Sequence, residues 1–310
     1  MIFVTGGCGF IGSNFLHYLS TVTDEEIVCI DKLTYASNWH YLPYDVILHT
    51  VDLSDKNALS DAFLKYKPSK IFHFAAETHV DNSIKNVMPF VESNIIGTIN
   101  LLQLAIEHEV EMFHHISTDE VYGALNYDDE SFTENTAYNP QNPYSASKAS
   151  SDHFVMAFHN TYGIPVKITN CSNNYGPRQH EEKLIPKIIK NIILGKKIPV
   201  YGNGQHMRDW IYVEDHCEAI YEVFCKGKVG EKYNIGGECE IKNIDLVNMI
   251  LDIMNADKNL IEFVSDRPGH DLRYSIDNGK MKKEFSWIPK TSIISGLEKT
   301  IQWYNDIYSS

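Results

Sequence analysis

A glycine-rich turn near the start of the chain constrains the fold more than any other feature. Residues 2–5 form an apolar, strand-like run, residues 7–12 read G-x-G-x-x-G, and an amphipathic helical pattern begins near Phe10. Glycines in such a turn let the backbone approach a pyrophosphate, whose charge the N-terminus of the following helix stabilises. The same turn can instead pack a helix on a strand without a ligand. In this context we expect a dinucleotide site.

Strand-like runs and helical patterns alternate along the first half of the chain. The strand-like runs are residues 2–5, 27–30, 46–51, 70–75, 112–117 and 166–169. The main helical patterns are residues 11–19, 58–66, 87–107 and 144–162. Short, nearly unbroken apolar strands that alternate with helices indicate a parallel sheet covered on both faces. The expected fold class is α/β, with a Rossmann-type, doubly wound parallel sheet.

The second half of the chain has more loop motifs and shorter helical patterns than the first. Loop motifs rich in glycine and proline separate shorter helical patterns at residues 183–194, 213–225, 244–255 and 293–308. A chain of 310 residues accommodates two domains at roughly 100–200 residues each. We expect an NAD-binding Rossmann domain over residues 1–170 and a smaller α/β lobe that binds the substrate over residues 171–310. The boundary is soft, because the chain can cross between the lobes more than once.

An acidic residue ends the second strand-like run. Asp31 lies 19 residues beyond Gly12 (31 − 12), close to the spacing of about 20 expected for the carboxylate that binds the ribose of a dinucleotide. An acid there disfavours a 2′-phosphate, so NAD is expected rather than NADP, although the adjacent Lys32 weakens that preference. Asp52 ends the third run and is expected to reach the adenine edge.

A tyrosine and a lysine share one face of the helical pattern at residues 144–162. Tyr144 and Lys148 are four residues apart, and positions i and i+4 lie on the same helix face. A free phenol, with a pKa of about 10, is a poor base at neutral pH, but a nearby ammonium favours the phenolate. The same spacing occurs by chance on surface helices. Downstream of a dinucleotide turn, it predicts a tyrosine that deprotonates a hydroxyl while hydride leaves the same carbon.

Two adjacent carboxylates follow the strand-like run at residues 112–117. Open parallel sheets bind ligands at the C-terminal ends of their strands, where Asp119 and Glu120 are expected to lie. One carboxyl can act as a general acid and its neighbour as a general base if their environments separate their pKa values. A solvated acidic loop is the competing interpretation.

Together these motifs resemble the extended short-chain dehydrogenase/reductase family, also described as the NAD-dependent epimerase/dehydratase family. The segment Thr118-Asp119-Glu120, combined with Tyr144-x-x-x-Lys148, is more narrowly similar to the dTDP-glucose 4,6-dehydratases. The resemblance covers nearly the whole chain. It includes residues 31–35, 75–81, 170–177, 182–186, 208–216 and 266–271.

The resemblance implies a lyase reaction in which a nucleotide sugar loses water through an internal redox cycle. Tyr144, assisted by Lys148, takes the proton of the C4 hydroxyl while the C4 hydride passes to NAD, and Thr118 helps to polarise the C4 oxygen. Glu120 removes the C5 proton, which the new carbonyl has acidified, and Asp119 protonates the departing C6 hydroxyl. The hydride then returns to C6 and a proton to C5, so dTDP-glucose becomes dTDP-4-keto-6-deoxyglucose.

The resemblance also implies two sets of binding residues. Those expected around NAD are Gly6, Gly9, Phe10, Ile11, Gly12, Asp31, Lys32, Leu33, Thr34, Asp52, Leu53, Ala75, Ala76, Ser93, Tyr144, Lys148 and Asn174. Those expected around the nucleotide sugar are Thr78, Thr118, Asn173, Lys183, Leu184, Pro199, Val200, Tyr201, Arg208, Asn243, Arg267 and His270. Within the second set, Arg208 and Arg267, with Lys183 nearby, are expected to meet the diphosphate.

Three departures from the family pattern leave the nucleotide base open. Ser37 stands where glycine is usual, Asn82 where arginine is frequent, and Glu181 where proline is usual. The Asn82 variant is similar to the UDP-glucose 4,6-dehydratases, so UDP-glucose is a second candidate substrate. Two further functions stay open, namely a sugar-nucleotide 4-epimerase, which needs no Asp-Glu pair, and a non-enzymatic NAD-binding protein.

The composition argues against several classes of protein. With 27 basic and 41 acidic residues the net charge is −14, so no nucleic-acid or membrane partner is expected. No run reaches about 18 apolar residues, and the N-terminus has no signal-peptide pattern. The six cysteines are scattered and the 14 histidines lack metal-ligand spacing, so neither a disulfide frame nor a metal site is expected. We expect a cytoplasmic enzyme and, by resemblance, a homodimer with a four-helix interface built from residues 87–107 and 144–162.

Overall fold

Parallel strands dominate the architecture. The computed structural model describes residues 1–266 and 271–308. The strands within this part of the chain are β1 (Ile2–Thr5), β2 (Ile27–Asp31), β3 (Ile47–Thr50), β4 (Lys70–His73), β5 (Met112–Thr118), β6 (Val166–Cys171), β7 (Asn173–Tyr175), β8 (Ile198–Tyr201), β9 (Met207–Tyr212), β10 (Glu231–Ile235), β11 (Glu240–Lys242), β12 (Ile261–Val264) and β13 (Arg273–Tyr274).

Helices connect most of these strands. The α-helices are α1 (Phe10–Val22), α2 (Lys56–Tyr66), α3 (Val80–Lys85), α4 (Met88–Phe90), α5 (Gly97–Glu107), α6 (Pro143–Tyr162), α7 (Leu184–Ile193), α8 (Val213–Lys226), α9 (Asn243–Ile253), α10 (Gly279–Phe285) and α11 (Ile293–Tyr308). A π-helical segment, Val91–Ile96, joins α4 to α5, and a 3₁₀ turn, Asp119–Tyr122, follows β5. In the described residues we find no helix with the length and apolarity that a bilayer crossing requires.

Seven strands form the central sheet, in the order β10-β6-β5-β4-β1-β2-β3, and all neighbours are parallel. The order reverses between β1 and β4. At such a reversal the loops after the two strands leave in opposite directions and open a crevice at the C-terminal ends of the strands. The expected Rossmann-type α/β fold is confirmed.

Two hydrophobic layers hold helices against this sheet. On one face, α1 and α8 pack through Phe15, Leu16 and Ile220. On the other face, α2, α5 and α6 cover the sheet, with Leu101 and Val155 fully buried there. Strands covered on both faces bury every residue, which is why β1 and β2 read as nearly continuous apolar runs rather than as alternating patterns. Strand β6 is also buried throughout, although Lys167, Thr169 and Asn170 interrupt its apolar residues.

A smaller lobe is built on β9, which pairs with β7 and β13 in parallel and with β11 in antiparallel fashion. Helices α7, α9 and α11 enclose its core, in which Trp210 lies against Tyr175. The chain crosses back to the large lobe after β9. Helix α8 packs against a face of the large sheet, and β10 forms its edge strand. The division at residue 170 stays a prediction.

Four buried histidines predict that acid destabilises the fold. Burial lowers the pKa of His73 and His114 well below the ordinary 6.5, that of His115 to about 4 and that of His216 to about 3. The unfolded chain therefore binds protons that the folded chain does not, and the free energy of unfolding falls as the pH drops below about 6.5. Each such histidine contributes a loss of about 2 kcal/mol between about pH 7 and pH 5.

Urea unfolding at these two pH values tests this expectation. Other groups titrate in the same interval, so the informative quantity is the difference between the protein and a variant that lacks one of these histidines. Between pH 7 and pH 5, the free energy of unfolding of His216→Gln should fall by about 2 kcal/mol less than that of the unmodified protein. An equal loss in both proteins would contradict a neutral, buried His216.

Candidate active site

A deep cleft opens where the strand order of the large sheet reverses. Its lining comes from the turns after β1 and β4, the C-terminal ends of β2 and β5, the start of α6 and the segment after β6. Among the predicted site residues, the lining includes Gly6, Gly9, Phe10, Ile11, Gly12, Asp31, Lys32, Thr34, Asp52, Leu53, Ala75, Ala76, Thr78, Ser93, Thr118, Asp119, Glu120, Tyr144, Lys148, Asn173, Asn174 and Lys183. Residues distant in sequence thus meet in one cleft.

The glycine turn forms a cradle that only glycine fits. A Cβ at Gly12 would lie 2.3 Å from the carbonyl oxygen of Gly6, and a Cβ at Gly6 would lie 2.6 Å from the backbone nitrogen of Ala75. Gly6 also has φ +70°, a conformation that favours glycine. Helix α1 begins at this turn with no side-chain cap and no acidic residue in its first turn. Its amides and its dipole therefore suit a phosphate group.

Asp31 ties the glycine turn to the next loop. Its carboxylate accepts hydrogen bonds from the backbone nitrogens of Cys8 (3.0 Å) and Leu33 (2.8 Å) and from the hydroxyl of Ser37 (3.1 Å). A carboxylate offers about four acceptor positions, so room remains for a ribose hydroxyl. Ser37, one of the departures from the family pattern, is thus part of the cleft wall. Leu33 is more than a third exposed and contributes its backbone rather than a lining side chain.

Lys32 brings together predicted residues from three loops. Its ammonium nitrogen lies 3.8 Å from the carboxylate of Asp52, 3.4 Å from that of Glu77 and 3.4 Å from the hydroxyl of Ser93. Sequence reasoning missed Glu77 as a site residue, although it lies inside the family-like segment 75–81. Its position directly after two alanines of the cleft wall was the signal available.

Local sequence sets the start of α6 and hence the position of Tyr144. Asn142 and Ser145 form a capping box, and Pro143 occupies the first helical turn. Tyr144 is therefore fixed at the helix N-terminus, and Lys148 lies one turn further on the same face. The ammonium of Lys148 donates to the carbonyl oxygen of Ile116 on β5 at 2.9 Å, which locks helix to sheet.

The pKa values of Tyr144 and Lys148 respond to the closed environment. Burial, followed by the charge of Glu120, raises the pKa of Tyr144 above its ordinary 10, while a hydrogen bond with Thr118 opposes that rise. Burial lowers the pKa of Lys148, and the charge of Asp152 opposes that fall. The cleft thus holds a phenol and an amine whose protonation depends on nearby charge.

Asp119 and Glu120 lie in the 3₁₀ turn at the end of β5, in different environments. Burial, and then the charges of Glu120 and Asp209, raise the pKa of Asp119 well above its ordinary value. Burial also raises the pKa of Glu120, but the positive charges of Arg208 and Lys183 work against it. Oδ2 of Asp119 is buried without a hydrogen-bond partner in the described part of the chain. The surroundings thus raise both pKa values, that of Asp119 more strongly, while Arg208 and Lys183 hold back the rise for Glu120.

A polar network behind the cleft supports the catalytic elements. The buried carboxylate of Asp152 accepts from the hydroxyls of Ser117 (2.9 Å) and Tyr138 (2.8 Å), and Nε2 of His115 lies 3.1 Å away. Burial alone would raise the pKa of Asp152, yet these contacts and the charge of Lys148 bring it below its ordinary value. Asp152 is therefore an anion one turn after Lys148. The sequence offered only its i+4 spacing as a hint.

The predicted substrate contacts divide into three groups. The first group, Thr78, Thr118, Asn173 and Lys183, lines the cleft. The Lys183 ammonium donates to the carbonyl oxygen of Thr78 at 3.1 Å. Residues of the smaller lobe that lie outside this lining are Leu184, Pro199, Val200, Tyr201, Arg208 and Asn243. Arg267 and His270 lie outside the described residues, so their placement stays a prediction.

Arg208 lies deeper than a surface ligand-binding cation would. Its side chain is buried, donates to the carbonyl oxygens of Met207 (2.7 Å) and Asp271 (2.9 Å), and stacks on the ring of Tyr274 at 4.4 Å. Its charge lowers the pKa values of both catalytic-site carboxyls. Arg208 therefore acts on the electrostatics of the cleft in addition to any contact with a ligand.

A cluster around Glu182 joins loops of both lobes at the mouth of the cleft. The hydroxyl of Tyr35 lies 3.3 Å from the carboxylate of Glu182, and Nε2 of His79 lies 3.4 Å from it. The amide of Asn82 donates to Tyr35 at 3.2 Å. Sequence reasoning did not identify Glu182 as a site residue, and it noted Asn82 only as a departure from the family pattern.

Comparison with known proteins places the chain in a family. The sequence profile described as "GDP-mannose 4,6 dehydratase" matches residues 3–300. The dTDP-glucose 4,6-dehydratase of Haemophilus influenzae is 47% identical over 328 residues, covering 98% of this chain and 97% of that protein. The chain belongs to the dTDP-glucose 4,6-dehydratase family.

Solved structures of this dehydratase family and of related enzymes share the fold. The Streptomyces venezuelae dTDP-glucose 4,6-dehydratase DesIV, crystallised with NAD and TYD bound, superimposes with a TM-score of 0.95 at 42% identity, covering 99% of this chain and 98% of that one. The Thermotoga maritima UDP-glucose 4-epimerase, crystallised with UDP-glucose, gives a TM-score of 0.94 at only 27% identity, covering 99% of each chain. Fold alone therefore does not separate dehydratase from epimerase, and the side chains of the cleft must do so.

Proposed function

We propose that the protein is an NAD-dependent dTDP-glucose 4,6-dehydratase, a hydro-lyase that forms dTDP-4-keto-6-deoxyglucose. The observation that carries this proposal is the meeting of Tyr144 with Asp119 and Glu120 in one cleft. Oxidation at C4 requires the phenol, but elimination of water across C5 and C6 requires an acid and a base as well. A 4-epimerase has no use for the two carboxyls.

The reaction follows from what each side chain can hold or release. Tyr144 accepts the proton of the C4 hydroxyl, Lys148 provides the positive charge that favours its phenolate, and Thr118 polarises the C4 oxygen. Glu120, whose charge Arg208 favours, removes the C5 proton that the C4 carbonyl has acidified and later returns it. Asp119, whose pKa burial and the charge of Glu120 raise, gives a proton to the departing C6 hydroxyl.

The cofactor fits the part of the cleft nearest the glycine turn. The cradle of Gly6 and Gly12, the uncapped start of α1 and the carboxylate of Asp31 are suited to pyrophosphate and ribose. NAD in this position would accept the hydride from C4 and later donate it to C6. Backbone amides would carry most of the pyrophosphate binding, so no cluster of basic side chains is needed there.

Nucleotide-sugar binding involves the other end of the cleft. Lys183 and Arg208 are cations beside Glu120, and the predicted Arg267 follows the described residue Asp266. These groups would give an acidic protein a local positive region for the diphosphate. Thymine is the base of the substrate in the names of the relatives, whereas Asn82 keeps uracil as the second candidate.

Separate incubations with dTDP-glucose and UDP-glucose test the proposal. A 4-keto-6-deoxy sugar from dTDP-glucose is expected, at a higher kcat/KM than from UDP-glucose. The reverse order would assign a UDP-glucose 4,6-dehydratase. A C4 epimer without loss of water would assign an epimerase, and no product from either sugar would leave only a binding function.

We also propose a cytoplasmic homodimer with a four-helix interface, to which each of two subunits contributes the helical segment 87–107 and the helix α6. Several apolar side chains on these helices and just before them are exposed, namely Val87, Met88, Ile96, Phe154 and Tyr162. On the same side of α6 as Phe154, the exposed residues Ala146 and Ala157 have small side chains that would let a second helix approach closely. A patch of this kind is typical of a subunit contact. The six thiols are all free, in keeping with a reducing compartment.

Charged substitutions on this patch are expected to produce monomers. Ile96→Glu and Phe154→Glu would each place a carboxylate in an apolar contact and its symmetry copy, and sedimentation should show half the mass of the unmodified protein. Leu64→Glu, on the exposed side of α2, is the matched control and should leave the mass unchanged. A monomeric starting protein, or dimers in both interface variants, would contradict the proposed surface.

A further inference from the structure

The proposed reaction leaves the enzyme in the wrong protonation state for its next turnover. Tyr144 gains the proton of the C4 hydroxyl, and Asp119 loses a proton to the water that departs from C6. The C5 proton does not alter this balance, because Glu120 removes it and returns it. One proton must therefore travel from the Tyr144 phenol to the Asp119 carboxylate in every cycle.

The hydroxyl of Thr118 interacts with both of these groups, and the three residues line the same cleft. It lowers the pKa of Tyr144, as a hydroxyl that donates to the phenolate does, and its oxygen lies 3.3 Å from Oδ1 of Asp119. It also accepts the backbone N–H of Glu120 at 3.3 Å. A hydroxyl has one proton to donate and two lone pairs to accept. When Tyr144 is a phenolate, Thr118 donates to it. Once Tyr144 has taken a proton from the substrate, the phenol can donate to Thr118, and the proton of Thr118 then has Asp119 as its acceptor.

The two oxygens of Asp119 have separate surroundings. Oδ1 faces Thr118, whereas Oδ2 is buried with no hydrogen-bond partner among residues 1–266 and 271–308. Asp119 also lines the cleft. Oδ1 is thus the oxygen that can receive a proton from the protein side, and Oδ2 has no protein partner in the described residues that would compete with a ligand.

Burial makes the alternative route through solvent slow. Asp119 is 2% exposed, Tyr144 7% and Thr118 9%, even with no ligand in the cleft. A substrate that covers these groups would reduce their access to water further. The raised pKa of Asp119 helps the return of its proton, because it makes the Asp119 carboxylate a stronger base.

We propose that Thr118 is the internal proton relay that resets the active site after each turnover. The Tyr144 O–H bond breaks as its proton binds the Thr118 oxygen, and the Thr118 O–H bond breaks as that proton binds Oδ1 of Asp119. Tyr144 returns to phenolate, Asp119 to the acid, and Thr118 is unchanged after its hydroxyl rotates back. This role rests on the proposed dehydratase function and adds to the polarisation of the C4 oxygen.

Comparison of the first turnover with later ones tests the relay. Resting enzyme has equilibrated with solvent, so its first turnover needs no relay. Rapid quenching of Thr118→Val with excess dTDP-glucose should therefore show a burst of about one product per active site, followed by a steady rate about 10²-fold slower. A side chain that only polarises the C4 oxygen would slow the first and later turnovers equally and give no burst.

Thr118→Ser is the matched variant, because it keeps the hydroxyl but removes the methyl group. It should restore equal rates for the first and later turnovers. If the unmodified protein forms product and Thr118→Val proceeds in a single phase from the start, the relay is wrong while the dehydratase function stands. If the unmodified protein forms no product from dTDP-glucose, the proposed function itself fails.

Discussion

Replacing Tyr144 by phenylalanine is expected to lower kcat about a thousandfold and to change KM little. Phenylalanine keeps the ring at the start of α6, where Phe90 lies 6.4 Å away between ring centres, so the fold should persist. What disappears is the oxygen that accepts the C4 proton and its hydrogen bond with Thr118. The measurement is steady-state formation of the 4-keto-6-deoxy sugar.

The control for this variant is Tyr44→Phe, which removes a phenol from a fully exposed tyrosine outside both the cleft lining and the proposed subunit contact. Its kcat should equal that of the unmodified protein. Urea unfolding of both variants separates a chemical effect from a folding defect. If Tyr144→Phe kept more than a tenth of the activity, another group would have to act as the base at C4.

Much of the fold follows from local pattern. The helices that begin at Ile293 and at Val213 match the expected patterns within one residue at each end, because apolar residues repeat along one face of each. Strand β1 matches in full because all four residues are apolar or buried. In these segments local sequence and tertiary packing favour the same structure.

Other parts depend on contacts that no local pattern carries. Strands β7, β11 and β13 have only two or three residues each, so they exist because β9 lies beside them. The return of β10 to the edge of the large sheet is likewise a matter of long-range pairing with β6. Short strands in loop-rich sequence give no period from which to predict them.

The candidate site divides in the same way. Tyr144, Asp119 and the glycine turn could be predicted because spacing alone ties each to the end of a strand or to the start of a helix. Asp152 and Glu182 could not, because their importance comes from partners distant in sequence, such as His115 and Tyr35. The role of a buried charged residue can be recognised only when its neighbours in the fold are known.

Replacing Glu120 by glutamine is expected to reduce dehydration about a thousandfold while oxidation at C4 continues. Glutamine keeps the length of the side chain and can still hydrogen-bond to Asn142, but it cannot accept the C5 proton. In D₂O, solvent deuterium should no longer enter C5. Quenching with borodeuteride should then yield a hexose labelled at C4 that still carries its C6 hydroxyl.

Asp119→Asn separates the acid from the base. Glu120 can still remove the C5 proton in this variant, so deuterium should enter C5 of the undehydrated 4-keto sugar although the C6 hydroxyl stays in place. Glu130→Gln is the charge control for both variants. It removes the charge of an exposed carboxylate outside the cleft lining and should leave turnover unchanged. Deuterium at C5 in the Glu120 variant but not in the Asp119 variant would reverse the two assignments.

The Glu120 variant carries a second, electrostatic consequence with a defined sign. The charge of Glu120 is one cause of the raised pKa of Asp119, so its removal should lower that pKa. Asp119 must be protonated to act as an acid, and residual dehydration should therefore decline with rising pH earlier than in the unmodified protein. Asp119→Asn has no carboxyl at this position to titrate, so its residual dehydration should not show this decline at high pH. Full turnover by Glu120→Gln would instead be the behaviour of an epimerase, in which neither carboxyl takes part.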